Sequence, residues 1–111
     1  AVDKLSHQEL MDLYMGRYTN FPNKVAALLL DLPMDSELRE KFYQKLVGKS
    51  VAEVNAYWAR LIFTGRAAPP RPIEDASQVI KFVRDNKNAI GYVYKKDYDG
   101  SIKVVYSFGT N

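Results

Sequence analysis

The sequence contains no cysteine and only one histidine among its 111 residues. Without cysteine there can be no disulfide framework, thiol nucleophile or thiolate metal site, and one histidine makes a zinc or other transition-metal centre improbable. Long apolar runs are also missing, because the longest, residues 25–30, has six residues, whereas a membrane-spanning helix needs about 20. We therefore expect no metal, no cofactor and no membrane span.

What is present is ordinary globular composition, with 47% hydrophobic and 26% charged residues. This length and composition predict one domain with one core over residues 1–111. The net charge is +3, and the excess lies in residues 81–111, which hold six basic and three acidic residues. A nucleic-acid-binding surface usually concentrates positive charge more densely, so we expect no nucleic-acid partner. The chain begins at Ala1, which fits a cleaved signal peptide and equally a trimmed N-terminus.

Capping signals predict four helices, which begin at Ser6, at Asp35 or Ser36, at Ser50 and at Asp75. The first and third starts have glutamate three residues later, the spacing of a capping box. Behind each start, apolar residues recur at the helical period. The first three helices are expected to end at glycines that can adopt a left-handed conformation: Gly16, Gly48 and Gly65.

Three segments predict strands. Residues 25–32 form an apolar run that Pro33 ends, as in a strand covered on both faces. Residues 89–95 and 102–107 flank an Asp-Gly pair, which is a strong hairpin signal. The Pro-rich residues 67–72 form a stiff connector. Together these elements predict an α/β fold, a small three-layer mixed sheet with about four helices and a C-terminal β-hairpin.

The residues do not assemble a recognisable catalytic set. His7 lies in the first turn of a capped helix with no nucleophile assigned to it, so we expect an exposed helix-start residue. The carboxylate pair Glu37 and Glu40 is typical of a solvated helix surface. Neither a GxxxxGK[ST] nor a GxGxxG loop occurs. We therefore predict that the protein is not an enzyme.

An anion site has more support, at residues 30–36, which run from the apolar strand directly into a helix start. A helix start presents free N–H groups and the positive end of the helix dipole, and Ser36 adds a hydroxyl. Serine and aspartate are also the usual capping residues, and Glu37 in the first turn would repel an anion. A simple helix cap and an oxyanion site both remain open.

The predicted hairpin suggests another surface. Tyr92 and Tyr94 share one face of a strand, and Tyr106 on its partner is near several lysines. Aromatic residues among basic ones can stack nucleic-acid bases, although hairpins use the same residues for packing. An exposed strand can also pair with another chain.

Four stretches share patterns with one protein family. The patterns are a helix followed by x-G-[KR] in residues 9–22, S-x-x-R-x-x-F in residues 35–43, W-x-R-x-x-F-x-G-[KR] with P-P in residues 57–70, and A-I-G-Y-V in residues 88–93. In this order, over roughly residues 5–107, the chain resembles a short branch of the phosphate ABC-transporter substrate-binding proteins. Asn88 stands where that family usually has glycine.

The resemblance implies a single lobe of a periplasmic-binding-protein-like fold, exported to the periplasm and associated with ABC-type phosphate transport. It implies that phosphate or a related oxyanion binds at Ser36 and its neighbours. The site that follows from the resemblance comprises Asp35, Ser36, Glu37, Leu38 and Arg39, with Arg60 or Arg66 supplying charge.

Two departures from the family weaken this site. Full-length members close two lobes around the ligand, and 111 residues suffice for one. Glu37 and Leu38 also replace the residues that follow serine in the family's phosphate loop, where glycine lets the backbone approach the anion. We therefore expect an affinity of about millimolar, unless a second lobe, self-association or a transporter component completes the site. The alternative is a protein-interaction module that has kept the fold and lost the ligand.

Overall fold

The computed structural model describes residues 3–65 and 67–108. The helices are α1 (His7–Tyr14), α2 (Glu37–Val47), α3 (Val51–Phe63) and α4 (Ala76–Asp85). The strands are β1 (Leu28–Asp31), β2 (Arg71–Pro72) and β3 (Ala89–Ile90), and a short 3₁₀ turn covers Lys95–Asp97.

The four predicted helix starts are confirmed. Ser6 and Ser50 each form a reciprocal capping box with the glutamate three residues later. Ser36 and Asp75 accept a hydrogen bond from the N–H three residues into α2 and α4. Each cap satisfies one of the N–H groups that a helix start leaves without an intrahelical partner, so these short motifs define where the helices begin.

The strands form a parallel sheet with the order β2-β1-β3. Leu30 lies opposite Arg71 on one side of β1, and Leu28 lies opposite Ala89 on the other. The predicted central strand is therefore confirmed in a shorter form, and the end of the Pro-rich connector pairs as the outer strand β2. Proline is tolerated there because an outer strand has one edge without a partner. The sheet is parallel throughout its described strands, so the expected mixed sheet is wrong.

Side chains of β1 alternate between two apolar cores. Leu29 packs with the core built by α1, α2 and α3, whereas Leu30 belongs to the core beneath α4. Val79 of α4 and Ala89 of β3 complete that second core. Helices therefore cover both faces of the sheet, and the predicted three-layer α/β arrangement is confirmed.

The predicted C-terminal hairpin does not form among the described residues. Beyond β3 the chain makes the 3₁₀ turn, and residues 102–107 are not paired as a strand. Tyr92 instead stacks on Phe42 at 3.8 Å between ring centroids, and the later segment is held by the Leu5 N–H, which donates to the Val105 carbonyl at 2.9 Å. These tertiary contacts outweigh the local turn signal.

Candidate functional site

Two helices begin at the same edge of the sheet. β1 and β2 are parallel neighbours, so their carboxyl ends lie together, and they lead into α2 and α4. The first turns of both helices line a cavity of about 450 Å³, which we call the carboxyl-edge opening. Its residues include Ser36, Glu37, Leu38, Asp75 and Ala76. The positive ends of two helix dipoles therefore meet at one place, which is where ligands bind in open α/β sheets.

Each helix start is partly occupied by its own cap. Ser36 Oγ accepts from the Arg39 N–H at 3.1 Å. Asp75 Oδ1 accepts from the Gln78 N–H at 3.0 Å, and this backbone bond lowers the pKa of Asp75. The N–H groups of Glu37 and Leu38 have no hydrogen-bond partner within the part of the chain that the structure describes. These two donors are thus available to an anion.

Acidic side chains surround the opening and oppose an anion. Five carboxylates and one ammonium group line it: Asp35, Glu37, Glu74, Asp75, Asp97 and Lys96. Lys41 pairs with Glu37 at 3.2 Å, and hydrogen bonding to Glu37 raises the pKa of Lys41. Lys41 and Lys96 both lie against the Tyr94 ring, at 5.7 and 5.5 Å from its centroid. The dipoles attract an anion and the carboxylates repel it, so the arrangement suits weak binding.

A buried carboxylate ends β1 beside the opening. Asp31 is 5% exposed, and its oxygens accept from the Leu32 N–H at 2.9 Å, Arg39 Nε at 3.3 Å, Tyr43 at 2.8 Å and the Tyr92 hydroxyl. Four donors offset the cost of burying the charge. Asp31 was not among the predicted site residues, although an aspartate at the end of a wholly apolar run is the signal that could have identified it.

Arg39 belongs to this buried network and does not line the opening. Its Nη2 donates to Asn55 Oδ1 at 2.9 Å, and its guanidinium lies 5.1 Å from the centroid of the Tyr43 ring. Its Nη1 is buried, with no hydrogen-bond partner among the described residues. Arg39 thus ties the first turn of α2 to the end of β1 and to α3, and so it fixes the position of the opening's α2 wall.

Three tyrosines keep their protons in this environment. Burial raises the pKa of Tyr14, Tyr43 and Tyr92, and the negative charge of Asp31 raises each pKa further. Tyr14 donates to the Leu30 carbonyl at 2.7 Å, while the other two donate to Asp31. As neutral donors they hold the end of β1 in place.

The predicted site residues are distributed unevenly. Asp35, Ser36, Glu37 and Leu38 lie together at the carboxyl-edge opening, and Arg39 is buried next to them. Arg60 is exposed on the last turn of α3 and is not among the residues that line the opening. Arg66 lies outside the described residues. The acidic residues Glu74 and Asp75, just before α4, were not predicted, because only the fold brings them next to α2.

The residues considered for other chemistry have structural roles. His7 is half-buried rather than exposed, since its Nε2 donates to the Leu46 carbonyl at 2.6 Å. Its ring packs edge-on against Tyr106 and Phe108. Tyr92 lies in the core rather than on a stacking surface.

Residues 3–65 and 67–108 contain neither a metal-binding cluster nor a membrane-spanning helix. No group of three or more histidine, aspartate or glutamate side chains there could hold a metal ion. None of the helices in these ranges has the length and apolar character needed to cross a membrane.

Comparison with known proteins shows similarity in structure rather than in sequence. No protein-family model matches the chain, and no curated protein is significantly similar to it. Its structure is similar to that of a Clostridium perfringens protein described as a phosphate ABC transporter substrate-binding protein with bound phosphate, with a TM-score of 0.73 and 21% sequence identity. The match covers 94% of this chain and 39% of that protein. The chain therefore has the fold of a single lobe of a periplasmic binding protein.

Proposed function

We propose that the chain is a non-enzymatic, single-lobe solute-binding domain that holds phosphate or a related oxyanion weakly at the carboxyl-edge opening. The observation that carries this proposal is the meeting of two helix starts at that opening. It is supported by the shared fold, because the similar C. perfringens protein was solved with bound phosphate.

Backbone N–H groups, a hydroxyl and an ammonium group at the carboxyl-edge opening would contact the anion. The N–H groups of Glu37 and Leu38 would donate to it at the positive end of the α2 dipole, and the Ser36 hydroxyl would donate its hydrogen while its oxygen still accepts from the Arg39 N–H. Lys96 would supply positive charge, since Arg60 does not line the opening. Asp35 flanks the site, and Arg39 positions the first turn of α2 from the buried side.

The affinity should be low. Five carboxylates line the opening, and a single lobe leaves the ligand in contact with water, where electrostatic contacts are weak. We expect a Kd of about 1 mM, which corresponds to about −4 kcal/mol. A second lobe supplied by another chain would enclose the anion and strengthen each contact.

An amide NMR titration with phosphate at fixed pH and constant ionic strength tests the proposal. We expect saturable shifts at residues 36–38 and 75–77, with smaller shifts from sulfate. Sodium chloride at the same ionic strength is the control for salt effects. Absence of localised, saturable shifts up to about 50 mM phosphate would contradict the proposal.

A charge variant sharpens this experiment. Glu37→Gln removes a carboxylate from the opening and should tighten phosphate binding by about two- to five-fold, the effect of one charge at a helix start. Glu40→Gln is the matched control, because Glu40 is also exposed in the first turn of α2 but does not line the opening. Equal changes in phosphate affinity in the two variants would show that the affinity depends on the net charge of the protein rather than on this site.

The acidic lining favours a second candidate function, a protein-interaction module that has kept the fold and lost the oxyanion. Five carboxylates at the carboxyl-edge opening repel an oxyanion, as expected of a domain that has lost this ligand. A titration without localised shifts in the parent chain and in Glu37→Gln would support this candidate over the first.

We further infer that the domain acts outside the cytoplasm with an ABC-type phosphate transport system. The support is the similarity to a protein described as a phosphate ABC transporter substrate-binding protein. Fractionation of the source cells, followed by detection with an antibody against the chain, tests the location. Recovery only with cytoplasmic markers would contradict it.

A further inference from the structure

The outer edge of β3 borders a groove that lies apart from the carboxyl-edge opening. β3 is the last strand in the order β2-β1-β3, and no strand within the described ranges pairs with its outer side. The groove has a volume of about 430 Å³. We call it the β3 groove, and it is bounded by α4, by β3 and its continuation, and by residues 101–105.

The groove runs along the sheet edge, because its walls come from both faces of the sheet. Val79 and Ala89 belong to the core beneath α4, whereas Phe21 and Ile90 belong to the core of α1, α2 and α3. All four side chains line the groove. An extended strand along this edge would therefore place alternate side chains against the two walls.

The groove carries positive charge. Arg84, Lys87 and Lys103 are among its lining residues, and none of the lining residues is acidic. Lys103 pairs with Asp3, and Arg84 donates to Ser101 Oγ at 3.3 Å. Lys87 is exposed and forms no ion pair with a described residue. The groove is thus complementary to an acidic partner, unlike the carboxylate-lined opening.

We propose that the β3 groove binds an acidic, extended peptide segment of another protein as an added parallel or antiparallel strand. The Ala89 N–H already donates to the Asn86 carbonyl at 3.0 Å, so affinity would come from main-chain hydrogen bonds to the Ala89 carbonyl and to residues 91–93, which continue β3 along the groove. One row of peptide side chains would be apolar, against Phe21 and Val105, and the other acidic, against Arg84 and Lys87. This proposal does not depend on oxyanion binding, since the two sites share no lining residue.

The probe is a short blocked peptide of alternating valine and glutamate, with binding measured by fluorescence anisotropy and located by amide NMR. We expect saturable binding with shifts at residues 89–93. The same peptide N-methylated at every residue has no backbone N–H to donate from either edge, so it should not bind in either strand direction. A valine-lysine peptide should not bind either, because the basic residues of the groove would repel its lysines.

Charge variants of the protein supply a second test. Lys87→Glu should weaken binding of the valine-glutamate peptide by about three-fold or more. Lys81→Glu is the matched control, since Lys81 on α4 is exposed like Lys87 but does not line the groove, and it should leave the affinity unchanged. Both changes are at exposed positions, so the fold should persist in each.

Three outcomes would overturn the proposal. The first is absence of saturable binding by the valine-glutamate peptide, and the second is equal binding of the N-methylated or valine-lysine peptide. The third is a concentration-dependent dimer in sedimentation whose formation shifts residues 89–93, which would assign the groove to a second copy of this chain. None of these outcomes bears on the phosphate titration, whose signals are at residues 36–38 and 75–77.

Discussion

Arg39→Met tests the buried network that holds the first turn of α2. The substitution removes two hydrogen bonds, from Nε to Asp31 and from Nη2 to Asn55, while methionine keeps the apolar stem of the side chain. It leaves the Asp31 carboxylate with three donors, the Leu32 N–H and the hydroxyls of Tyr43 and Tyr92. It also removes the buried Nη1, which has no partner within the described residues.

The magnitude follows from these opposing effects. Removing one partner of a buried ion pair usually costs about 3–5 kcal/mol, because the other charge is left uncompensated. Relief of an unsatisfied buried donor offsets about 1–3 kcal/mol of this. We therefore expect Arg39→Met to lower the free energy of unfolding by about 2 kcal/mol.

Asp31→Asn should cost more than Arg39→Met. It removes the charge that four donors share, replaces one acceptor oxygen with an NH₂ group that faces two of those donors, and leaves the buried guanidinium of Arg39 without its counter-charge. Arg39 Nη1, which has no partner among the described residues, remains in this variant, so we expect the full cost of about 3–5 kcal/mol. The difference between the two variants should therefore be about 2 kcal/mol in favour of Arg39→Met.

Urea unfolding followed by fluorescence of Trp58, the only tryptophan, measures both variants. Arg60→Met is the matched control, because Arg60 is exposed on α3, and it should change the free energy of unfolding by less than about 0.5 kcal/mol. The reasoning is refuted if Arg39→Met is as costly as Asp31→Asn, or if it is as harmless as the control.

Three further predictions concern stability. Gly16 has φ +75°, and a Cβ there would lie 2.8 Å from Trp58 Cη2, so Gly16→Ala should cost about 2–4 kcal/mol in thermal unfolding. Gly48→Ala, at φ +69° with nothing within 4 Å, should cost only about 1–2 kcal/mol, and equal costs would contradict the packing argument. Ser50→Ala should destabilise the protein by about 1 kcal/mol in urea, because it removes the acceptor for the Glu53 N–H at 3.2 Å, whereas no effect would show that the cap is dispensable. Burial raises the pKa of Tyr14, Tyr43 and Tyr92, so the native state holds protons that the unfolded chain releases above about pH 10. The stability from these groups is present in full below that pH and should fall above it, by up to about 4 kcal/mol per pH unit for three groups. Absorbance titration should show these three of the eight tyrosines ionising only on unfolding, and eight normal titrations in the folded state would be the contrary result.

The sequence by itself determined where the helices begin. A cap involves residues within about four positions of each other, so the sequence predicted starts at Ser6, at Asp35 or Ser36, at Ser50 and at Asp75 without information from the rest of the fold, and the structure selects Ser36 for α2. The buried central strand was similarly predictable, because a short continuous apolar run ended by proline is typical of a strand covered on both faces. The parallel order of the strands was not, since pairing joins residues that are distant along the chain.

Only the tertiary structure decided the composition of the candidate site. The first turns of α2 and α4 are about 40 residues apart in sequence, and the parallel pairing of β1 with β2 brings them to one opening. Arg39 lies three residues after Ser36 and was predicted as part of the oxyanion site, yet its hydrogen bond to Asp31 holds it in the core. The strong Asp-Gly turn signal gave no hairpin, because Tyr92 gains more from Phe42 and Asp31 than from a cross-strand partner. Local patterns thus fix local structure, whereas long-range burial and charge pairing decide which side chains meet.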